Sequence, residues 1–298
     1  MSRYSGLSID VDSVASHLQG YGFLDGVRDG KAYERAIPRV LEMLAKLEAR
    51  CTFFLIAQEA VQHREVVRAI VAGGHEVGCH SMTHTLPFDL TDPDRRKREL
   101  ADARTLLEEV AGAPVTGFRA PSWDAPPFLL PSLAASGYRY DASSYPTWML
   151  LLHRLTVARK SGDQRAVVSA PIGHLFFGRA KPHVVECGGR ALAEIPICTA
   201  PFVRIPYYHT LRFILPPAGF RVLALLARRR QGPLGYVFHA VDFLGVKEDT
   251  LDERISRHPG MRLPLEQKLG LAAAAVRELG IGGRSVTSLK TIAELMIS

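Results

Sequence analysis

Residues 51–84 read CTFFLIAQEAVQHREVVRAIVAGGHEVGCHSMTH, and their pattern decides the fold class. Cys51–Ile56 is an apolar run rich in strand formers, of the length of a buried strand. Glu65–Ala72 carries helical spacing, and Gly73-Gly74 stops it. His75–Cys79 is a second short strand, and it opens directly into His80-Ser81-Met82-Thr83-His84. A strand, a helix and a strand with a polar cluster at its end are the pattern of a parallel sheet with its chemistry on one rim.

The same rhythm extends both ways. Tyr4–Val11 is an extended run ending in acids, and Tyr33–Arg50 repeats apolar residues at Ile37, Val40, Leu41, Leu44 and Leu47, as a helix does. Downstream, Asp94–Ala111 is a charged amphipathic helix, Val115–Phe118 a strand, Pro127–Ser136 a helix and Tyr138–Tyr140 a strand. The rhythm breaks at Tyr145–Ala191, which reads as an irregular insertion. Strands resume at Leu192–Cys198 and Leu234–Ala240, a helix follows at Pro264–Leu279, and Ser285–Val286 with Thr291–Met296 closes the chain as strand then helix. No repeat or low-complexity linker interrupts this order. One elaborated α/β domain over residues 1–298 is therefore expected, with insertions at about 145–190 and 200–232.

Composition is that of an ordinary globular chain: 298 residues, 47% hydrophobic and 22% charged. This excludes disordered, collagen-like and disulfide-stapled classes. A formal charge of +7 points to an anionic partner or simply to a basic surface. No nucleic-acid module is recognisable, so nucleic acid is not expected. The four cysteines are scattered. No signal-like apolar run opens the sequence and no stretch of about 18 apolar residues occurs, so the expected location is cytoplasmic.

Four strand ends carry chemistry. Alternation puts Asp10 and Asp12 of Ile9-Asp10-Val11-Asp12 on one face. His80 and His84, four apart, can grip one ion from one side of a turn. With a carboxylate from another strand they form a two-histidine, one-carboxylate set that suits Zn²⁺, Fe²⁺, Co²⁺, Ni²⁺ or Mn²⁺ and leaves open positions. Arg119, in Phe118-Arg119-Ala120-Pro121-Ser122-Trp123, can hold a carboxylate ionised. Trp123 offers a flat apolar wall. His239, leaving the strand Leu234–Ala240, is a candidate general acid. Taken singly, each also reads as a capping, surface or core residue.

Together, Asp10-Val11-Asp12, His80-Ser81-x-x-His84, Arg119-Ala120-Pro121-Ser122-Trp123 and Phe238-His239 resemble the polysaccharide deacetylase family (NodB homology, carbohydrate esterase 4). Cys51-Thr52-Phe53-Phe54 and Gly74-His75-Glu76-Val77-Gly78 support the likeness. The resemblance implies a distorted (β/α) barrel of the NodB-homology type and a metal-dependent amide hydrolase. It implies Asp10 as general base, Asp12, His80 and His84 as ligands of one divalent ion (Zn²⁺ first, then Co²⁺, Ni²⁺, Mn²⁺ or Fe²⁺), Arg119 as tuner of Asp10, and His239 as general acid. Trp123 and Pro121 would contact substrate. Two features depart from the family pattern. A valine separates the aspartates, as in a subset that includes the aminoarabinose-lipid deformylase. The aspartate that braces the acid histidine is also not evident, Asp141 being the nearest candidate.

Substrate choice rests on the insertions. Tyr145–Arg159 and Tyr207–Arg230 mix apolar bulk, arginine and interfacial aromatics without being able to span a bilayer. They read either as a helical layer on the barrel or as interfacial segments at an anionic membrane. The expected partner is an amino sugar losing an N-acyl group, acetyl ahead of formyl, on a polyprenyl phosphate at the inner membrane face. The alternatives are a soluble oligosaccharide, amide or imide. A non-haem iron oxygenase is disfavoured because Met82 stands where its carboxylate belongs, and a sugar-binding pseudoenzyme because every catalytic type is present.

Overall fold

The computed structural model describes residues 3–86, 88–126, 128–151, 172–229 and 232–298. The strands are β1 (Tyr4–Val11), β2 (Thr52–Leu55), β3 (Glu76–Cys79), β4 (Gly117–Phe118), β5 (Tyr140–Asp141), β6 (His183–Cys187), β7 (Arg190–Glu194), β8 (Leu234–His239) and β9 (Ser285–Thr287). They form one curled sheet in the order β6-β7-β5-β4-β3-β2-β1-β8, and β9 also pairs with β1. Every pairing is parallel except β6 with β7. This is the expected (β/α) barrel, curled into an open form. β1 holds it together: Tyr4–Gly6 pair with β9, Ser8–Val11 with β2, and Ser5–Asp10 with β8 on the other side.

One rung of the ladder explains where the site lies. Val11, Leu55, Cys79, Phe118, Asp141 and Glu194 are in register across six strands. The next residues, including Asp12, His80 and Arg119, therefore leave the sheet side by side at its carboxyl-terminal rim. Because the pleat repeats every two residues, Asp10 points to the same side as these three. The opposite parity (Leu7, Ile9, Val11, Phe53, Leu55, Cys79, Phe118) is buried in the main core. The concave side is filled below the site by a second cluster, in which Leu289, Ile292 and Ala293 of the last helix, Leu289–Ile297, meet Phe54, Tyr140 and Ile195. Gly117 lies under the Tyr140 ring, where a Cβ would come within 2.0 Å of it.

The expected elements are present, with adjustments. The helix expected from Tyr33 to Arg50 starts as a wider turn (Ala32–Ala36), continues as Ile37–Lys46, and stops before Arg50, where Glu48 turns left-handed at φ 49°. A short helix, Ala57–Gln62, precedes Arg64–Ala72, because Ala57 and Ala60 bury against the core. The expected irregularity of Tyr145–Ala191 needs correction. Its described part includes the helix Ile172–Phe177 and a regular hairpin, β6–β7. Gly188 and Gly189, at φ 60° and 77°, supply the two positive dihedrals of that tight turn. The middle of that insertion, residues 152–171 with most of Tyr145–Arg159, and Arg230 lie outside the described residues.

Candidate active site

Asp12 leaves β1 one residue before Ser13, whose hydroxyl accepts the Ser16 N–H and starts the helix Val14–Gly20. Its carboxylate oxygen Oδ1 lies 3.3 Å from His80 Nε2 and 3.4 Å from His84 Nε2. All three side chains are buried, and their ligand atoms lie within 4.8 Å of one another. This is the one such group found among the described residues. His80 Nδ1 lies 2.7 Å from the Arg119 carbonyl, which accepts its proton and leaves Nε2 with its lone pair toward Asp12. Asp12 Oδ1 has no hydrogen-bond donor. A buried carboxylate oxygen facing two imidazole nitrogens is the donor set of a divalent cation, so these residues fit the metal that the resemblance implies.

Electrostatics favour the ligand forms. Burial pushes the Asp12 carboxyl up, but His84, His80 and His17 outweigh it and hold it well below its usual range. Burial lowers His84 to about 4, so its imidazole is neutral at pH 7. His80 is also disfavoured as a cation by burial, yet its contact with Asp12 raises it above its usual value.

The His80–His84 turn is a strained one. Ser81 and His84 adopt positive φ, 70° and 55°. Ser81 Oγ accepts the His84 N–H, while Glu99 accepts the N–H groups of Met82 and Thr83 and the Thr83 hydroxyl. Glu99 is a residue that sequence reasoning missed. It sits in the middle of a charged helix, with no signal to set it apart from its exposed neighbours.

Asp10 is held differently. Arg119, fully buried, donates from Nη1 to Asp10 Oδ1 at 2.6 Å and to Ser8 Oγ at 3.0 Å, and from Nε to the Ala142 carbonyl at 3.1 Å. Its guanidinium stacks over Phe54 at 4.3 Å. Asp10 Oδ2 is left facing His239 Nε2 at 3.9 Å. The ladder fixes that meeting, because Asp10 and His239 are direct partners between β1 and β8. Trp123 stands edge-on to His239 at 5.6 Å and packs on Tyr145, with Tyr208 beyond both. Pro121 is buried at the start of the same turn.

The structure thus brings Asp10, Asp12, His80, His84, Arg119, Trp123 and His239 together, but not Asp141. The Asp141 carboxylate accepts the Ser143 hydroxyl and N–H, and burial with Glu194 nearby pushes it up to about 7. Beside His239 stands Asp242 instead, whose Oδ2 accepts the His239 N–H at 2.8 Å. Burial raises Asp242 above its usual range. The turn carrying both is fastened by buried Lys268, which donates to the carbonyls of Val241 and Leu244.

Two further imidazoles were not anticipated. His17 Nε2 lies 3.9 Å from Asp12 Oδ2, and its ring contacts those of His239 and His258 at 5.6 and 5.0 Å. Burial lowers His17 to about 4 and His258 well below its usual range. One helical turn past the Asp10-Val11-Asp12 motif, His17 has no sequence signal of its own.

A profile of polysaccharide deacetylases matches residues 25–140. Over these residues the chain is similar to the polysaccharide deacetylase family. A peptidoglycan deacetylase of Helicobacter pylori is 31% identical over 139 residues, 45% of this chain and 47% of that protein. A chitooligosaccharide deacetylase of Sinorhizobium fredii is 38% identical over 87 residues, 28% of this chain and 39% of that protein. The chain thus spans about half the length, or less, of the curated relatives it matches. Among solved structures, a putative polysaccharide deacetylase from Mycobacterium smegmatis superposes with a TM-score of 0.63 at 20% identity, covering 98% of this chain and 89% of that one. That likeness establishes the fold. Residues 25–140 contain His80, His84, Arg119 and Trp123, whereas Asp10, Asp12, His17 and His239 lie outside the match.

Proposed function

We propose that this protein is a metal-dependent hydrolase of the polysaccharide deacetylase type that removes an N-acyl group, acetyl first, from an amino sugar. The observation that carries the reading is the split between its two strand-end aspartates. Asp10 has one oxygen occupied by Arg119 and the other free beside His239, while Asp12 faces only imidazoles. Asp12, His80 and His84 are assigned as ligands of one divalent ion, Zn²⁺ first, with Co²⁺, Ni²⁺, Mn²⁺ or Fe²⁺ as alternatives. When bound, the ion supplies Lewis-acid polarisation of the acyl carbonyl and lowers the pKa of water.

In this reading Asp10 Oδ2 takes the proton of the attacking water. Arg119 fixes the carboxylate so that only this oxygen faces the reaction. His239 gives a proton from Nε2 to the departing amine nitrogen, without which the C–N bond does not break near neutrality. Asp242 fixes the backbone of that histidine, and Asp141 serves instead to order the loop behind Arg119. Trp123, on the turn that Pro121 begins, forms a wall for the sugar ring.

The finer reading places the sugar on a polyprenyl phosphate, reached by peripheral contact with the inner membrane face. It is supported by the sequence 195–241, which contains six arginines and no aspartate or glutamate. No helix among the described residues is long and apolar enough to cross a membrane. The test is mass spectrometry of a polyprenyl-phosphate N-acetyl amino sugar after incubation with the metal-loaded protein, with a lipid-free N-acetyl amino-sugar oligomer in parallel. Loss of one acetyl group from the lipid-linked sugar supports the whole reading. Loss from the oligomer alone keeps the hydrolase and removes the lipid. No change in either, with metal bound, overturns acetyl transfer to water as the activity.

A further inference from the structure

We propose that the face made by the helix Pro217–Arg228, the turn at 201–204 and the segment 177–183 docks this protein on an anionic lipid bilayer. The helix carries the first part of the argument. Phe220, Leu223, Ala224 and Ala227 are buried, so its outward stripe is Ala218, Arg221, Val222, Leu225 and Arg229. A water-facing stripe normally mixes acids with bases and keeps large aliphatics few. Here Val222 and Leu225 are 56% and 59% exposed between arginines, and no acid shares the helix. Apolar side chains flanked by arginines are the pattern of a helix lying in a membrane interface, where long cationic side chains reach back to headgroups.

The stripe leads into a basin. Arg229 lines, together with Arg179, Lys181, Arg204 and His183 (which pairs with Glu194), an open cavity of about 820 Å³ with no carboxylate residue among its described lining. Phe177 and Phe202 stand on its rim, 86% and 101% exposed. Four permanent cations around this basin attract anionic phosphate-type headgroups, and the two phenylalanines are placed to enter the acyl boundary beside them. A soluble anion would use the cations but leave the aromatic rim and the helix stripe without a role. The bilayer uses all three.

The face is tied to the site. Arg204 donates to the carbonyls of Gly178 and Pro146, and Trp148 Nε1 donates to the Val203 carbonyl. Pro146 follows Tyr145, which packs on Trp123 beside His239. The docking face is thus joined through residues 145–148 to the aromatic wall of the site. The further step, that docking serves a lipid-linked substrate, rests on the proposed function; the docking itself does not.

Flotation of the full chain with vesicles tests it without any substrate. The probes are phosphatidylcholine alone and phosphatidylcholine mixed with phosphatidylglycerol. The expected result is flotation with the mixed vesicles only, weakening with salt. Removal of a cation lowers partitioning about fivefold, so the double reversal Lys181→Glu with Arg229→Glu stays with the soluble fraction. Phe202→Ser with Leu225→Ser also loses flotation. All four side chains are exposed, and unchanged thermal melts verify that the fold is intact. The proposal is overturned if the mixed vesicles leave the protein behind at low salt, if the variants float like the parent, or if neutral vesicles bind equally well. It is also overturned if light scattering shows a dimer that Leu225→Ser dissolves, since a second copy then covers this face. Turnover of a lipid-free amino sugar, measured separately, distinguishes failure of docking from failure of the proposed chemistry.

Discussion

Replacing Arg119 by methionine tests how the site is held. Arg119 and Asp10 are a buried ion pair, their side chains 2% and 3% exposed, joined at 2.6 Å. Methionine preserves most of the packing against Phe54 but leaves Asp10 as a buried carboxylate without its cation. It also leaves the Ala142 carbonyl without the Arg119 donor. Breaking a buried pair from one side costs about 3–5 kcal/mol, because the partner remains desolvated and uncompensated. Against a total stability of about 5–15 kcal/mol, that loss is large. Urea unfolding at pH 7 measures it. The decisive comparison is the double variant Asp10→Asn with Arg119→Met. With the stranded charge gone, it is expected to be more stable than Arg119→Met alone by about 2 kcal/mol, a non-additivity typical of contacting residues. Both forms lose turnover, so the two readouts separate the cost to the fold from the cost to the chemistry. Additive stability changes, or a loss below about 1 kcal/mol in Arg119→Met, would refute the claim that the arginine exists chiefly to hold the Asp10 charge.

The other expected outcomes concern single residues. Asp10→Asn lowers turnover by about 10²–10⁴-fold while stoichiometric metal persists by elemental analysis, whereas His84→Ala loses both; retained turnover in Asp10→Asn would mean that the base is another group. His17→Gln lowers metal affinity by about 10–100-fold in competition with a chromogenic chelator, since His17 faces the outer oxygen of Asp12; an affinity within twofold of the parent removes His17 from that role. Glu76 supplies the pH dependence. It receives Thr52, Tyr140 and the Lys290 N–H in the core, yet burial raises it from 4.5 to about 7. A carboxyl whose folded value is raised stays protonated while the unfolded chain ionises. Its contribution is therefore lost as pH rises from about 4.5 to about 7, with a span of about 3 kcal/mol. Glu76→Gln is expected to flatten that part of the stability profile, and an unchanged slope in thermal melts across pH 5–8 would count against it.

Much of the site was legible because ladder register turns strand ends into neighbours. Asp12, His80 and Arg119 each follow one rung, and a run of short apolar strands predicts that rim without coordinates. Residues that act from outside the strands were not legible. His17 reaches Asp12 because a Ser13-capped helix turns back over the site, and Glu99 reaches the His80–His84 turn as the one buried charge of a long charged helix. Asp141 is only the nearest candidate in the sequence for an aspartate that braces His239. The rung shows why it is ill placed to do so: four strands, β4, β3, β2 and β1, separate it from β8. Asp242 lies only three residues beyond that histidine, and a capping contact of that kind was readable in principle. Of the β6–β7 hairpin, β6 was not legible because it is half-exposed and carries charges, so it lacks the apolar run that marked the others, whereas the end of β7 falls in the strand expected at Leu192–Cys198.

The two aspartates carry a last consequence, drawn from charge alone. Both are buried on one face of one strand, and both could in principle meet a cation. Asp10 already has one, the permanently charged Arg119, so a second positive ion gains little from it and is repelled by the guanidinium. Asp12 has none. Around it stand His17 and His84, which burial keeps neutral at pH 7, and His80, whose outer nitrogen is set to donate its lone pair. On the roles proposed above, the residue that separates base from ligand is therefore not either aspartate but Arg119. In Arg119→Met, Asp10 becomes a second uncompensated carboxylate close to Asp12. Divalent ion binding to that variant is then expected to persist or tighten while turnover is lost. Loss of the ion along with the arginine would refute this, since the main-chain carbonyl of residue 119 that orients His80 is kept in the variant.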